Sequence, residues 1–171
     1  MGTQVEDRTL QVKAESAIRE SFGESVHVNA TVYNRQILLT GEAPDETTIR
    51  NVEARVATLP NIRLIVNDIQ VAPTAPLSAR SRDTLLTTKV KATFVDAQDV
   101  YANAFKVTSE SGVVYLMGLV TDREANRAAD LTSTIPGVTK VVKVVDVISE
   151  DELAKLRITP SNGVEHPVGN E

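Results

Sequence analysis

The chain has 171 residues, of which 42% are hydrophobic and 24% are charged, and its formal net charge is −5 at pH 7. It contains no cysteine, which excludes disulfides, zinc–thiolate sites and thiol nucleophiles. An isoelectric point near 5.1 and the absence of tryptophan argue against nucleic-acid binding, which needs a basic surface and often an aromatic stacking platform.

Residues 7–71 predict a helix, two strands, a second helix and a third strand. The first helix carries apolar residues at helical spacing, and these are Leu10, Ala14, Ala17 and Ile18. The predicted strands are residues 28–33, 37–41 and 62–71, of which the last is rich in β-branched residues. Asp45 is a good N-cap for the second helix, which is predicted to end at Pro60.

Residues 83–148 repeat this order. Asp7 and Asp83 are 76 residues apart, and Gly41 and Gly118 are 77 residues apart, so the two stretches differ by one inserted residue. The corresponding core positions of the first helix are Leu86, Val90 and Phe94, and the N-cap assigned to the second helix is Asp122. Residues 72–82 are predicted to be a linker and residues 149–171 a mobile acidic tail, with a short helical turn at residues 152–156.

The predicted fold class is α+β, with two tandem modules of the order αββαβ. A helix between the second and third strands acts as a crossover, so those strands pair in parallel and each sheet is three-stranded and mixed. Both helices of a module are expected on one face of its sheet.

The repeated core resembles the BON domain family, bacterial modules associated with osmotic shock and outer-membrane proteins. The resemblance rests on a strand that ends near Gly41 or Gly118, a helix, and residues 136–138, Pro-Gly-Val, before a valine-rich strand. The first copy reads Pro-Asn-Ile at residues 60–62 and departs from that pattern. A tandem pair is similar to the dual-BON lipoproteins of the Gram-negative outer membrane, of the division- and outer-membrane-associated type.

This resemblance implies a periplasmic location, an N-terminal lipid anchor on a cysteine that this sequence lacks, and a role in envelope integrity and cell division. It also implies that the second module binds anionic phospholipid. We therefore expect a leader and the lipid-bearing cysteine to belong to the native protein and not to these residues.

A comparison of the two first helices points independently to the second module as the membrane-binding one. Thr9 and Glu15 of the first helix correspond to Leu85 and Lys91 of its copy, so the copy gains an exposed leucine and a cation. An apolar side chain among cations suits an anionic bilayer surface. The predicted lipid-binding residues are Arg80, Arg82, Leu85, Leu86, Lys89 and Lys91. The alternative is that Leu85 packs against the first module or the linker.

Other candidate sites are weaker in the sequence. His27 and His166 are expected to be solvated and to bind no metal, and Asp45 with Glu46 is expected to cap a helix. Residues 109–112 are expected to form a hairpin turn, and no glycine-rich phosphate loop is present. We expect no catalytic residue and no cofactor, and a monomeric, non-enzymatic protein. The alternative function is an adaptor that recruits an envelope protein through a strand edge or the groove between the modules.

Overall fold

The computed structural model describes residues 2–156, which form two αββαβ units in succession. The first unit consists of α1 (Gly2–Phe22), β1 (His27–Tyr33), β2 (Gln36–Ala43), α2 (Glu46–Val56) and β3 (Leu64–Val71). The second consists of α3 (Leu77–Asp96), β4 (Phe105–Glu110), β5 (Val113–Val120), α4 (Asp122–Ser133) and β6 (Lys140–Val147). We call these units the first and the second module.

Each module has one three-stranded mixed sheet. β2 is the central strand of the first sheet, antiparallel to β1 and parallel to β3. β5 has the same place between β4 and β6. The predicted α+β class and mixed topology are therefore confirmed, and the parallel pair follows from the crossover through α2 or α4.

The two helices of each module pack on one face of its sheet and form a separate core. In the first module this core includes Leu10, Ala14, Ile18, Ile37, Leu39 and Val52. In the second it includes Leu86, Val90, Phe94, Val114, Leu116 and Ala128. The helix positions that the sequence assigned to these cores are buried, because residues three or four apart share one helix face.

The opposite faces of the two sheets pack against each other. Leu38 of β2 points away from its own helices and forms a third apolar cluster with Tyr115, Met117 and Val144 of the second module. Successive strand residues point to opposite faces, so β2 and β5 are buried on both sides. Polar contacts join the modules at the edges of this cluster, including an ion pair of 2.7 Å between Arg63 and Asp146.

Glycine is required at the same place in both modules. A Cβ on Gly41 would lie 1.9 Å from the carbonyl oxygen of His27, and one on Gly118 would lie 2.3 Å from that of Ala104. Neither position leaves room for a side chain, because the opposing backbone cannot move aside without breaking the β ladder. The shared restriction explains the glycine that ends the motif in both copies.

The helix boundaries differ from the sequence-based expectation at several points. Thr121, and not Asp122, is the N-cap of α4, in a capping box in which Thr121 and Glu124 bond each other's backbone nitrogen. α3 begins at Leu77, so residues 77–82 are helical although they were assigned to the linker. Pro76 can precede a helix because the first turn needs no N–H donor from it. α2 ends at Val56, four residues before Pro60.

The C-terminal part of the chain is described as far as residue 156. Residues 150–156 are helical, and Leu153 is buried. This helix includes the short turn expected at residues 152–156. The mobility expected of the tail concerns mostly residues 157–171, which lie outside the described residues.

Candidate functional site

The second module has a cleft of about 640 Å³ beside the first half of α3. The β4–β5 turn and the Pro136–Gly137 turn before β6 form its other walls. We call it the α3 cleft, and its lining includes Arg82, Leu85, Leu86, Lys89, Gly112 and Gly137. The lining surface is mainly apolar.

A buried aspartate fixes the β4–β5 turn against α3. The carboxylate of Asp83 accepts hydrogen bonds from the backbone nitrogens of Ser111, at 2.7 Å, and Gly112, at 3.1 Å. Both turn residues have positive φ, of 50° and 83°, which is the backbone of the two-residue hairpin turn that the sequence predicted. The β4–β5 turn, which forms one wall of the cleft, is thus held by a side chain of α3, which forms another wall.

The first module contains the corresponding cleft, which we call the α1 cleft. Its volume is about 570 Å³, and Asp7 holds its turn by accepting from the nitrogens of Asn34 and Arg35 at 2.6 and 2.8 Å. Its lining includes Glu6, Thr9, Leu10, Lys13, Arg35 and Asn61. The two clefts have the same architecture, so their differences concern side chains and not backbone.

The side chains of the two clefts differ in polarity and in size. Glu6 and Thr9 of the α1 cleft correspond to Arg82 and Leu85 of the α3 cleft, which reverses one charge and adds an apolar group. Arg35 and Asn61 correspond to glycines, which opens the α3 cleft and leaves its surface less polar. These replacements make the second cleft the more suitable one for an apolar ligand with a negative group.

Four of the six predicted lipid-binding residues line the α3 cleft together. Leu85 is 56% exposed, and the exposed cations Arg82 and Lys89 are its neighbours one helical turn away. Leu86 also lines the cleft but is only 6% exposed, because it belongs to the core of the module. Leu86 was predicted to contact lipid, and this prediction is corrected, because the residue is buried in the core and not exposed as Leu85 is.

Arg80 and Lys91 lie on another side of α3. At 3.6 residues per turn they point roughly 140° and 120° away from Leu85. Arg80 donates from Nε to the carbonyl oxygen of Ala75 at 3.2 Å. Burial is the main cause that lowers the pKa of Lys106, and the charge of Lys91 lowers it further. The structure thus places these two cations away from the α3 cleft.

The expectation that the His27 side chain is solvated is wrong. Its side chain is only 14% exposed, and its Nδ1 lies 2.8 Å from Oε1 of Glu42. These residues are register partners in the β1–β2 pair, and the docking of the modules brings Glu110 of β4 beside them. We call His27, Glu42 and Glu110 the His27 cluster. No pattern within one module predicts it, because Glu110 comes from the other module.

Glu110 is anchored to the first module by neutral donors. Asn29 Nδ2 and Thr40 Oγ1 donate to its Oε2 at 2.5 and 2.9 Å. Burial raises the pKa of Glu110, and these two hydrogen bonds oppose that rise. Glu42 accepts a further hydrogen bond from the backbone nitrogen of Ala75 at 2.9 Å, which ties the start of the connection between the modules to β2.

The expectation that Asp45 caps a helix is confirmed. Its carboxylate accepts from the backbone nitrogen of Thr48 at 2.7 Å at the start of α2. This hydrogen bond lowers the pKa of Asp45. The Asp45–Glu46 pair is therefore a helix start. Of the helices within residues 2–156, none combines the length and the apolar character that crossing a bilayer requires.

The family model described as "BON domain" matches residues 6–73 and 82–149. The chain belongs to the BON domain family. Its two BON modules are 39% identical, over 146 residues, to the outer membrane lipoprotein DolP of Haemophilus influenzae, in an alignment that covers 84% of this chain and 75% of that protein. They are 28% identical to the 21 kDa hemolysin of Actinobacillus pleuropneumoniae, with 86% of this chain and 77% of that protein covered.

One solved structure shows a lower similarity to the BON pair. A structure of CdsD, a structural protein of the type III secretion system of Chlamydia trachomatis, is 12% identical with a TM-score of 0.35. That match covers 88% of this chain and 98% of the other.

Proposed function

We propose that the second module binds anionic phospholipid reversibly at a membrane surface through the α3 cleft. The single observation that carries this proposal is the position of Leu85, which is exposed at the mouth of the cleft between Arg82 and Lys89. A leucine so placed gains by entering the boundary of headgroups and acyl chains, and each nearby cation adds about 1 kcal/mol on an anionic surface. The contacting residues are Arg82, Leu85 and Lys89, with Leu86 beneath them.

The place of this activity is proposed from the relatives. The name of the Haemophilus influenzae relative describes an outer membrane lipoprotein. We propose that this chain likewise acts at the periplasmic face of the outer membrane, held there by a lipid anchor, and supports envelope integrity and cell division. The role is non-enzymatic and is performed by a monomer.

The two clefts make a matched test in one protein. We expect flotation with phosphatidylglycerol vesicles for the full chain, and little flotation with phosphatidylcholine vesicles. Leu85→Glu and Lys89→Glu each weaken binding, the first by about tenfold or more because it removes an apolar contact and adds a repelled charge. Thr9→Glu and Lys13→Glu change the equivalent positions of the α1 cleft and leave binding unchanged. Unchanged flotation of both α3 variants, or an equal loss in the α1 variants, would refute the site.

The same assay distinguishes the cations at the α3 cleft from Arg80 and Lys91, which were also predicted to bind lipid. Arg80→Glu and Lys91→Glu reverse charges that lie away from Leu85, so we expect a smaller loss than for Arg82→Glu. Binding through exposed cations should also weaken as salt rises from 50 to 300 mM, because screening shortens the reach of each charge. A loss for Arg80→Glu equal to that for Arg82→Glu would mean that long-range charge, and not the cleft, determines binding.

The adaptor function remains the alternative proposal. It would use an exposed strand edge, since the apolar sheet faces between the modules are already packed against each other. An adaptor would retain a partner protein from an envelope extract in the absence of lipid and at high salt. Lipid-independent capture that survives Leu85→Glu, together with no flotation, would favour it.

A further inference from the structure

The His27 cluster lies where the two modules meet and takes residues from both. His27 and Glu42 face each other across β1 and β2, and Glu110 is the last residue of β4. One nitrogen or oxygen atom of each residue lies within 4.8 Å of the corresponding atoms of the other two. The cluster therefore presents one imidazole and two carboxylates toward a common point.

With both carboxylates ionised, the cluster carries more negative charge than His27 can balance. Glu42 and Glu110 are only 6% and 7% exposed. Two carboxylates buried together are costly unless positive charge lies beside them. Within residues 2–156, no lysine or arginine forms an ion pair with either carboxylate, and His27 offers at most one positive charge. A divalent cation would remove the imbalance.

The cluster does not recur at the position that the repeat relates to it. At the 77-residue offset that relates Gly41 to Gly118, His27 corresponds to Ala104, Glu42 to Leu119, and Glu110 to Tyr33. The three corresponding residues thus have neither an imidazole nor a carboxylate. Tyr33 packs instead with the apolar cluster between the sheets. The imidazole and the two carboxylates therefore occur together at only one of the two positions that the repeat relates.

We propose that His27, Glu42 and Glu110 bind one zinc ion that cross-links the two modules. One imidazole nitrogen and two carboxylate oxygens are ligands that zinc accepts, with bonds of about 2.0–2.2 Å. Tetrahedral bonds of that length bring ligand atoms roughly 3.3 Å apart, so small side-chain rotations close the cluster from its present spacing. Calcium and magnesium prefer sites made of oxygen alone, and the imidazole favours zinc over both.

The fourth coordination position would face solvent. His27 and Glu110 both line a polar cleft of about 440 Å³ between the modules, whose opposite wall includes Arg80 and Asp83 of α3. A water molecule could complete the zinc coordination from this side, and the cleft provides an entry path for the ion. None of the three proposed zinc ligands lines the α3 cleft.

The test uses the full chain without an affinity tag, stripped with a chelator and titrated with zinc chloride by calorimetry at pH 7.5. We expect one zinc ion per chain and a rise in thermal midpoint on zinc addition, because the ligands are assembled only when both modules are folded and docked. His27→Ala and Glu110→Gln each weaken binding by tenfold or more. His166→Ala, which removes the other histidine, leaves it unchanged, and calcium and magnesium do not compete.

A measurement on the unsubstituted chain decides the question if a variant fails to fold. Zinc bound at the cluster shifts the NMR signals of the His27 imidazole. These shifts are complete at one equivalent of zinc. Shifts confined to His166, or no shift at all, would overturn the proposal. Undiminished zinc affinity in a folded His27→Ala variant, as judged by circular dichroism, would overturn it equally.

Discussion

Asp83 of α3 and Ser111 of the β4–β5 turn are joined by a hydrogen bond of 2.7 Å from the Ser111 backbone nitrogen to the Asp83 carboxylate. Gly112 donates to the other oxygen of the same carboxylate. The relationship is repeated between Asp7 and its own turn, so each cleft has a buried aspartate that links helix and hairpin.

We predict that Asp83→Ala lowers the free energy of unfolding by about 2–4 kcal/mol, since hydrogen bonds to charged groups contribute about 1.5–3 kcal/mol each. Asp7→Ala should cost a similar amount, because it removes the same pair of bonds. Only Asp83→Ala should also weaken flotation with phosphatidylglycerol vesicles, since only that turn forms a wall of the α3 cleft. Urea unfolding and flotation measure the two effects, and equal flotation of both variants would contradict the assignment.

A second prediction concerns the docking of the modules. The hydroxyl of Tyr115 in β5 donates to Asp68 in β3 at 2.6 Å, and Tyr115 is 2% exposed. Burial raises the pKa of Tyr115, and the adjacent Asp68 raises it further, so the hydroxyl keeps its proton. Tyr115→Phe should therefore cost about 1.5–3 kcal/mol, because the hydrogen bond is lost within a packed apolar cluster.

Thermal unfolding measures this cost, and a double-mutant cycle with Asp68→Asn isolates the contact between the two side chains. We expect one cooperative transition in the wild type, since the modules share a buried interface. Additive losses in the cycle would show that the two side chains do not interact in solution.

The third prediction is a pH dependence that arises from Lys106. Its Nζ donates to the carbonyl oxygen of Val32 across the module interface at 2.7 Å. Burial is the main cause that lowers its pKa from 10.5, with smaller contributions from Arg8 and Lys91, while Asp7 and Glu15 raise it. Between the lowered pKa of Lys106 in the folded protein and its value of 10.5 in the unfolded chain, the unfolded chain binds more protons than the folded chain. The free energy of unfolding therefore rises with pH in this range.

Lys106→Met removes this titration. The wild type should gain stability relative to Lys106→Met as the pH rises from 8 toward 10.5, and the difference should be constant below the folded pKa of Lys106. Urea midpoints measured for both proteins across this range test the prediction. Comparing the two chains cancels the titration of groups that they share, and a gap that widens in the opposite direction would show that the pKa of Lys106 is not lowered.

A fourth prediction distinguishes the two candidate caps of α4. Thr121→Ala should cost about 1 kcal/mol, because it removes the side-chain oxygen that accepts from Glu124 in the capping box. Asp122→Ala should cost only about 0.3 kcal/mol at physiological salt, since Asp122 is exposed and acts through the helix dipole alone. Equal losses in chemical denaturation would contradict the assignment of Thr121 as the cap.

Much of the fold could be predicted because it depends on local patterns. The 3.6-residue spacing of Leu86, Val90 and Phe94 identifies a helix face, and the β-branched runs identify strands, whatever lies beyond them. Duplication added a second, independent copy of each pattern. The start of α3 at Leu77 and the cap at Thr121 were missed, since helix ends depend on backbone partners that a pattern of apolar residues does not specify.

The candidate site could be predicted only in part, for a geometric reason. Leu85, Arg82 and Lys89 lie on one helix face, and that face follows from their spacing alone. Arg80 and Lys91 are near Leu85 in sequence but not on that face, so sequence proximity misled the grouping. The α3 cleft itself required the β4–β5 turn and the Pro136–Gly137 turn, which meet α3 only in the folded module.

The sequence by itself determined the two αββαβ modules, the core face of each helix and the leucine that distinguishes α3 from α1, because all three depend on spacing within one copy. The tertiary structure alone decided how the modules meet. Leu38 and Tyr115 pack across the sheets, and His27 and Glu42 meet Glu110, through contacts between residues 68 to 83 positions apart. Such contacts depend on which sheet faces dock, and the face of β2 that carries Leu38 also carries the polar residues Gln36, Thr40 and Glu42, so no apolar periodicity marks the partner.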